Sequence, residues 1–333
     1  MRWGAAGLFS TSLGFEALGS VNDKFSGHSD IKINGHWGNK GMISTGGMVC
    51  ASQPLAVATG YDVLKAGGNA IDAAVAANAM LCLTEPMMSG LGGDLFAIVW
   101  NEKEKKLAGL NASGRSPYDW SIKDAKDLGL NAVPSFGPLS WTVPGCVSGW
   151  TELLEKFGTK NLASLLAPAI AYANEGFPVS ETIAGEWKPE NGVTDYQTMN
   201  NVFLFDNKIW KAGDIFRNPQ LARTFQILAR EGGDAFYQGE IAERIVGFSK
   251  KHSGRFSKKD FTDHKADWVD PLSSGYRGYD IWQLPPNGQG LVVLQMMNIL
   301  EQFDIAEAGP NSAQAFHLFL EAKKLCFADR AVY

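Results

Sequence analysis

The strongest constraint on the fold is the stretch NAIDAAVAANAMLCL, residues 69–83, which is apolar around almost the whole of a helix. A helix that is hydrophobic on all faces is buried in the core of a large protein or spans a membrane. The longest apolar part, residues 73–83, is too short to cross a bilayer and contains Asn78. We therefore predict a central buried helix, capped by Asn69, whose alanines allow neighbouring elements to approach closely.

Composition and charge narrow the class of protein. The 333 residues are 45% hydrophobic and 20% charged, which is typical of globular proteins and is enough for one large or two smaller domains. The net charge of −5 gives no support for a nucleic-acid partner. Residues 1–40 contain no clear signal peptide and predict a poorly ordered N-terminal extension, so the compartment stays open.

Cysteine and histidine spacing gives no sign of a metal site or a cofactor. The four cysteines are far apart and form no C-x-x-C pair, and the five histidines show no H-x-x-x-H spacing. Cys82 and Cys326 fall within apolar helical patterns, so we predict that both are buried thiols. Nothing in the spacing demands a disulfide.

Helical and strand patterns are interspersed along the chain, which predicts a mixed α and β class. Strands are predicted at 47–52, 95–100, 106–111 and 276–285, with the second and third joined as a hairpin. Helices are predicted at 54–68, 69–83, 146–157, 161–174, 218–230, 239–250, 290–303 and 311–329.

The glycine-rich segment SGLGGD, residues 89–94, could suggest phosphate binding. A dinucleotide site has a strand, then the glycines, then a helix, whereas here the glycines follow a helix and precede a strand. No P-loop pattern is present either. The order favours a tight turn packed against neighbouring backbone and disfavours a nucleotide-binding protein.

A second small-residue segment, GLNASGRSP at 109–117, contains the single basic residue Arg115. A guanidinium can hold a carboxylate with two parallel charge-assisted hydrogen bonds, and small neighbours leave room for a ligand. The alternative is a structural arginine paired with a nearby Asp or Glu. The residues alone support these two interpretations equally.

Several ordered motifs resemble one known family. They are GGNAIDAAVAANAMLCLTEPMMSGLGGDLFAIVW, LNASGRSP, VPGCVSGWTELLEKFGT, LLAPAIAYANEGFPV, GGDAFYQGEIAERI, FTDHKADWVDPLSSGYRGYDIWQLPPNGQG and HLFLEAKKLCFADRAVY. Together they resemble the N-terminal, large-subunit portion of the γ-glutamyltranspeptidase (glutathione hydrolase) family over residues 46–333. NASGRSP and PPNGQG are closer to a γ-glutamyltransferase-like branch related to cephalosporin acylase, which leaves the donor substrate open.

The resemblance implies an N-terminal nucleophile hydrolase with an αββα four-layer sandwich, incomplete in this chain. Such a proenzyme cleaves itself to expose a threonine, whose hydroxyl attacks a γ-glutamyl amide while its own α-amine acts as base. That threonine lies downstream of FADRAVY, so no catalytic residue is expected in this chain. The position that matches the family's substrate-binding arginine is Arg115, which would grip the α-carboxylate of a γ-glutamyl compound such as glutathione.

The implied partner is the threonine-led small subunit from the same precursor. In that family both sheets draw strands from both subunits, so this chain by itself is expected to leave sheet edges unpaired, which favours association or an oligomer. The functional alternatives are an enzyme of γ-glutamyl transfer, whose reacting half lies beyond this chain, and a catalytically inactive binding or regulatory homologue.

Overall fold

The structure of the chain, a computed structural model, describes residues 42–187, 202–204 and 209–332. The extension predicted for residues 1–40 lies outside the described residues. The chain divides into two compact units. The larger unit contains residues 44–97 and 110–268, and the smaller one contains residues 98–109 and the C-terminal part that begins at Val269.

The larger unit is mainly helical. Its helices are α1 (Pro54–Lys65), α2 (Ala70–Thr84), α3 (Ile122–Asp127), α4 (Cys146–Phe157), α5 (Leu162–Glu175), α6 (Glu181–Glu186), α7 (Pro219–Glu231), α8 (Asp234–Gln238), α9 (Glu240–Lys251) and α10 (Lys258–Thr262). A 3₁₀ helix covers Pro138–Ser140.

The strands form small sheets. β1 (Leu95–Asn101), β2 (Lys106–Ala112) and β5 (Asp267–Val269) make a three-stranded sheet of order β1-β2-β5. β3 (Phe177–Pro178) pairs antiparallel with β4 (Ile215–Phe216). In the smaller unit, the hairpin of β6 (Leu272–Tyr276) and β7 (Tyr279–Gln283) precedes α11 (Gly290–Leu300), α12 (Ile305–Ala308) and α13 (Ala313–Val332).

Helix α2 is the centre of the larger unit, as its sequence predicts. Ten of its residues are buried, and the side chains of seven of them join a core shared with α1, α4, α5 and α7. The predicted cap is present, because the Asn69 side chain accepts hydrogen bonds from the backbone N–H groups of Ile71 and Asp72. Cys82 and Cys326 are buried thiols, which confirms that prediction.

Asp72, in the first turn of α2, is a buried carboxylate that joins this helix to the loop after α4. It accepts backbone N–H bonds from Asn69, Thr159 and Lys160 at 2.9–3.1 Å and a hydroxyl bond from Thr159. Burial by itself would raise the pKa of Asp72, but these hydrogen bonds outweigh it and lower the pKa below the ordinary value. The ionised carboxylate therefore stabilises the fold.

The helix predictions are confirmed, since all eight helices occur within three residues of their predicted bounds. One strand prediction is wrong. Residues 47–52 form no strand, because a strand needs a hydrogen-bonded partner and none of the described strands pairs with them. The strand predicted at 276–285 occurs over Tyr279–Gln283 and starts later than predicted, because Arg277 and Gly278 both have positive φ, as a two-residue hairpin turn requires.

Among the helices of the described segments, none combines the length and the apolarity needed to span a bilayer.

We expect Asp72→Asn to lower the free energy of unfolding by about 1–3 kcal/mol, because the amide replaces an acceptor by a donor facing buried N–H groups. The wild-type contribution is present above the ordinary aspartate pKa of about 3.9 and is lost as pH falls below it, so the two proteins converge in acid. Urea unfolding across this pH range measures both effects. Asp62→Asn, at an exposed position on α1, is the matched control.

Candidate functional site

Arg115 lies in the turn of residues 113–117 that follows β2, which we call the arginine turn. Its side chain is 71% exposed, and its Nη2 atom is 3.2 Å from Oδ2 of Asp267. The sequence left an arginine paired with an acidic residue as the alternative to ligand binding, and this structure contains such a pair. An exposed pair of this kind contributes only about 0–1 kcal/mol, so another carboxylate can compete for the guanidinium.

The backbone of the arginine turn packs directly against residues 143–145. A methyl group on Gly114 would lie 1.9 Å from the Val143 carbonyl oxygen, and one on Gly145 would lie 2.0 Å from the Ala112 carbonyl oxygen. Only hydrogen fits at both positions. The Val143 N–H also donates to the Arg115 carbonyl at 3.0 Å, so the turn is fixed directly at the arginine.

The predicted glycine turn supports this packing through hydrogen bonds. The Gly93 carbonyl accepts from the N–H groups of Gly145 and Cys146 at 3.0 and 2.9 Å, and Oδ1 of Asp94 accepts from the Gly114 N–H at 2.8 Å. The turn does contact neighbouring backbone, but Gly92 itself has open space around it. The contacts that require glycine are at Gly114 and Gly145. Sequence reasoning missed both, although each lies within a motif quoted for the family resemblance.

The residue that follows the arginine turn is anchored by α10. Oδ1 of the buried Asp260 accepts from the Tyr118 N–H at 2.7 Å, while its other oxygen accepts from the Ser257 N–H at 2.6 Å. The Tyr118 hydroxyl donates to Asp263 at 3.1 Å. The turn is thus held on both sides of Arg115, while the guanidinium itself stays exposed.

Three side chains beside the arginine turn form a hydrogen-bonded group that we call the histidine cluster: Ser148, Tyr237 and His264. Nε2 of His264 is 3.0 Å from the Ser148 hydroxyl, and the rings of His264 and Tyr237 stack with centroids 5.2 Å apart. The Tyr237 hydroxyl donates to the Pro144 carbonyl at 2.8 Å and accepts from the Ser148 N–H at 2.9 Å. Sequence reasoning did not single out any of these three residues.

The electrostatics of the histidine cluster favour neutral side chains. Burial is the largest cause that lowers the pKa of His264, and the positive charge of Arg115 is the second. The negative charges of Asp267 and Asp94 partly oppose the shift. Burial also raises the pKa of Tyr237 to about 12. The charge of Arg115 thus acts on His264. The lowered pKa of His264 and the raised pKa of Tyr237 keep both rings uncharged near neutral pH.

A serine beside a histidine resembles a nucleophile with its base, but the protons are arranged differently here. When the Ser148 hydroxyl donates its one hydrogen to the Gly145 carbonyl at 2.8 Å, His264 in its Nε2–H tautomer donates to Ser148 and is not its base. The thiol of Cys82 is buried, and its hydrogen bond with Cys146 and its burial raise its pKa well above the ordinary value. Neither group is an activated nucleophile.

The geometry presents one exposed guanidinium on a segment whose backbone is fixed, beside the exposed carboxylate of Asp267. Within residues 42–187, 202–204 and 209–332, no three His, Cys, Asp or Glu side chains come together in a way that could hold a metal ion.

The chain belongs to the γ-glutamyltranspeptidase family, whose model matches residues 56–333. A similar curated relative is the glutathione hydrolase-like YwrD proenzyme of Bacillus subtilis, 37% identical over 296 residues that cover 88% of this chain and 56% of the relative. The chain spans about half the length of the curated relatives it matches.

Solved structures confirm the predicted fold class. The γ-glutamyltranspeptidase of Helicobacter pylori matches with a TM-score of 0.80 and 30% identity, covering 88% of this chain and 86% of that one. The cephalosporin acylase of Bacillus halodurans matches with a TM-score of 0.77 and 40% identity, covering 83% of this chain and 52% of that one. The mixed helix and sheet structure is thus that of the N-terminal nucleophile hydrolases of this family.

The packing of the arginine turn predicts that Gly114→Ala is destabilising. The added methyl would overlap a main-chain oxygen, and relieving such an overlap typically costs about 1–3 kcal/mol. Gly247→Ala, in α9 with open space around it, should instead stabilise by about 0.5–1 kcal/mol through helix propensity. Denaturant unfolding of the two variants measures the contrast, and equal midpoints would contradict the described packing.

Proposed function

We propose that Arg115 binds the α-carboxylate of a γ-glutamyl substrate and that this chain is the substrate-binding, large-subunit portion of a γ-glutamyltransferase or glutathione hydrolase, residues 46–333. The observation that supports the proposal best is the exposed guanidinium on a turn whose backbone is held both before and after Arg115. Family membership and the relatives of the chain support the reaction class, since one curated relative is a glutathione hydrolase proenzyme of Bacillus subtilis.

This role requires Arg115 to bind a charged group of the substrate and to take no part in breaking a bond. Arg115 can offer two parallel N–H donors to a carboxylate once its exposed contact with Asp267 is exchanged for the ligand. Asp267 beside the guanidinium and Asp94, which accepts from the Gly114 N–H, leave negative charge near the arginine turn, which suits a ligand that carries an ammonium group next to its carboxylate. A γ-glutamyl group has both charges on one carbon atom.

We further propose that the nucleophile is the threonine at the start of a small subunit from the same precursor. Its hydroxyl oxygen would bond to the γ-carbonyl carbon and give its proton to its own α-amine. That proton would leave with the departing amine as the amide bond breaks. Water or an acceptor amine would then release the γ-glutamyl group from the threonine ester.

Arg115→Lys tests the role of the arginine in the full-length protein. Lysine keeps the positive charge and loses the planar fork, so we expect KM for a γ-glutamyl anilide to rise by on the order of tenfold, because a hydrogen bond to a charged group contributes about 1.5–3 kcal/mol. Arg223→Lys, at another exposed arginine of the larger unit that lies beside Glu240, is the control. An unchanged KM in Arg115→Lys would remove this residue from the site.

Because we propose that the nucleophile belongs to the small subunit, we predict that these 333 residues by themselves do not cleave a chromogenic γ-glutamyl anilide. Binding a carboxylate positions a substrate but lowers no barrier without a nucleophile and donors for the developing oxyanion. Adding a separately expressed threonine-led segment should produce turnover that depends on its threonine. Turnover by the chain without that segment would refute the proposed nucleophile, and no turnover with it would favour the inactive, ligand-binding homologue.

A further inference from the structure

We propose that His264, through Ser148 and Tyr237, is a positioning residue that sets the geometry at which Arg115 meets the α-carboxylate of the substrate. The inference rests on the proposed function of Arg115 and adds a specificity-determining group behind it. None of the three side chains of the histidine cluster needs to touch the substrate for this role.

The first step is the hydrogen bonding of His264. With the Ser148 hydrogen donated to the Gly145 carbonyl, the Ser148 oxygen is the acceptor for the Nε2–H tautomer of His264. The Nδ1 atom of His264 is buried and has no hydrogen-bond partner among the described residues. A proton there would be a buried donor without an acceptor, so the cluster selects the neutral tautomer that donates to Ser148.

The second step links the cluster to the backbone behind Arg115. The Tyr237 hydroxyl binds the Pro144 carbonyl, and the Ser148 hydroxyl binds the Gly145 carbonyl, each at 2.8 Å. The Pro144 and Gly145 carbonyls belong to successive peptide groups of the segment 143–145, against which the arginine turn packs and where no side chain larger than hydrogen fits. A shift of this segment therefore moves the arginine turn.

The third step links the cluster to the acidic partner of the guanidinium. His264 lies three residues before Asp267, whose carboxylate is 3.2 Å from Nη2 of Arg115. Fixing the imidazole against Ser148 and Tyr237 thus fixes the start of the segment that presents Asp267. The main chain beneath Arg115 and the carboxylate beside it are both tied to His264.

If His264 only fills the core, its substitution should affect all substrates alike. If it is a positioning residue, its substitution should affect recognition of the α-carboxylate. The probes are a γ-glutamyl anilide and γ-aminobutyryl anilide, which lacks that carboxylate. In the full-length protein, we expect His264→Phe to raise KM for the first by on the order of tenfold and KM for the second by less than about twofold, because small misplacements of a binding group are costly.

Two variants separate the hydrogen bond from the ring. His264→Gln keeps an N–H donor within reach of Ser148, so it should restore most of the preference for the carboxylate. Ser148→Ala removes the acceptor while His264 stays, and it should reproduce the selective loss even if His264→Phe fails to fold. Phe225→Leu, a buried position on α7 in the same unit, is the control for simple loss of packing.

The decisive comparison is made in the Arg115→Lys background. If His264 acts through Arg115, His264→Phe should cause no further loss of carboxylate preference there, as a double-mutant cycle detects. Equal losses for both substrates, at the level of Phe225→Leu, would overturn the inference alone. A wild type that treats both substrates equally would overturn the proposed function and the inference with it.

Discussion

The close approach of two main-chain segments at Gly114 and Gly145 is the constraint on which the site depends. Each glycine α-carbon faces a carbonyl oxygen of the other segment at a distance that leaves no space for a β-carbon. The contact brings their polar groups into hydrogen-bonding range, and the Gly93 carbonyl accepts from the 145–146 end. A surface arginine thereby gains a rigid base without being buried itself.

The same arrangement affects the free-energy cost of the binding that we propose for Arg115. Long arginine side chains lose conformational entropy when they bind, and an exposed ion pair seldom compensates for that loss. Here the backbone of Arg115 is already fixed by Val143, and Asp267 limits the orientations of the guanidinium. Part of the ordering has therefore taken place during folding, which reduces the free-energy cost of binding.

Sequence patterns were sufficient to predict the helices and strands that are determined by residues close together in the chain. The apolar face pattern and cap of α2, the boundaries of the long helices and the β1–β2 strands follow from periodicity and turn residues. The strand predicted at 47–52 failed because strand formation depends on a partner elsewhere in the chain. The resemblance of NASGRSP to a family motif identified Arg115, whereas its own chemistry left two interpretations.

The histidine cluster could not be predicted, because its members come from α4, α8 and the segment after α10, more than eighty residues apart at the widest step. Neither Ser148 nor Tyr237 belongs to a pattern that distinguishes a buried hydrogen-bonded group from an ordinary surface polar residue. Only the tertiary fold shows that the three meet behind the arginine turn.

The two glycines also determine where this site can be redesigned. A library of variants at Gly114 or Gly145 would consist mostly of destabilised proteins, since every replacement adds a carbon where an oxygen already lies. The exposed side chain of Asp267, which contacts the guanidinium, imposes no such steric limit. Diversifying this acidic position should therefore alter the surroundings of Arg115 and leave the scaffold of small residues intact.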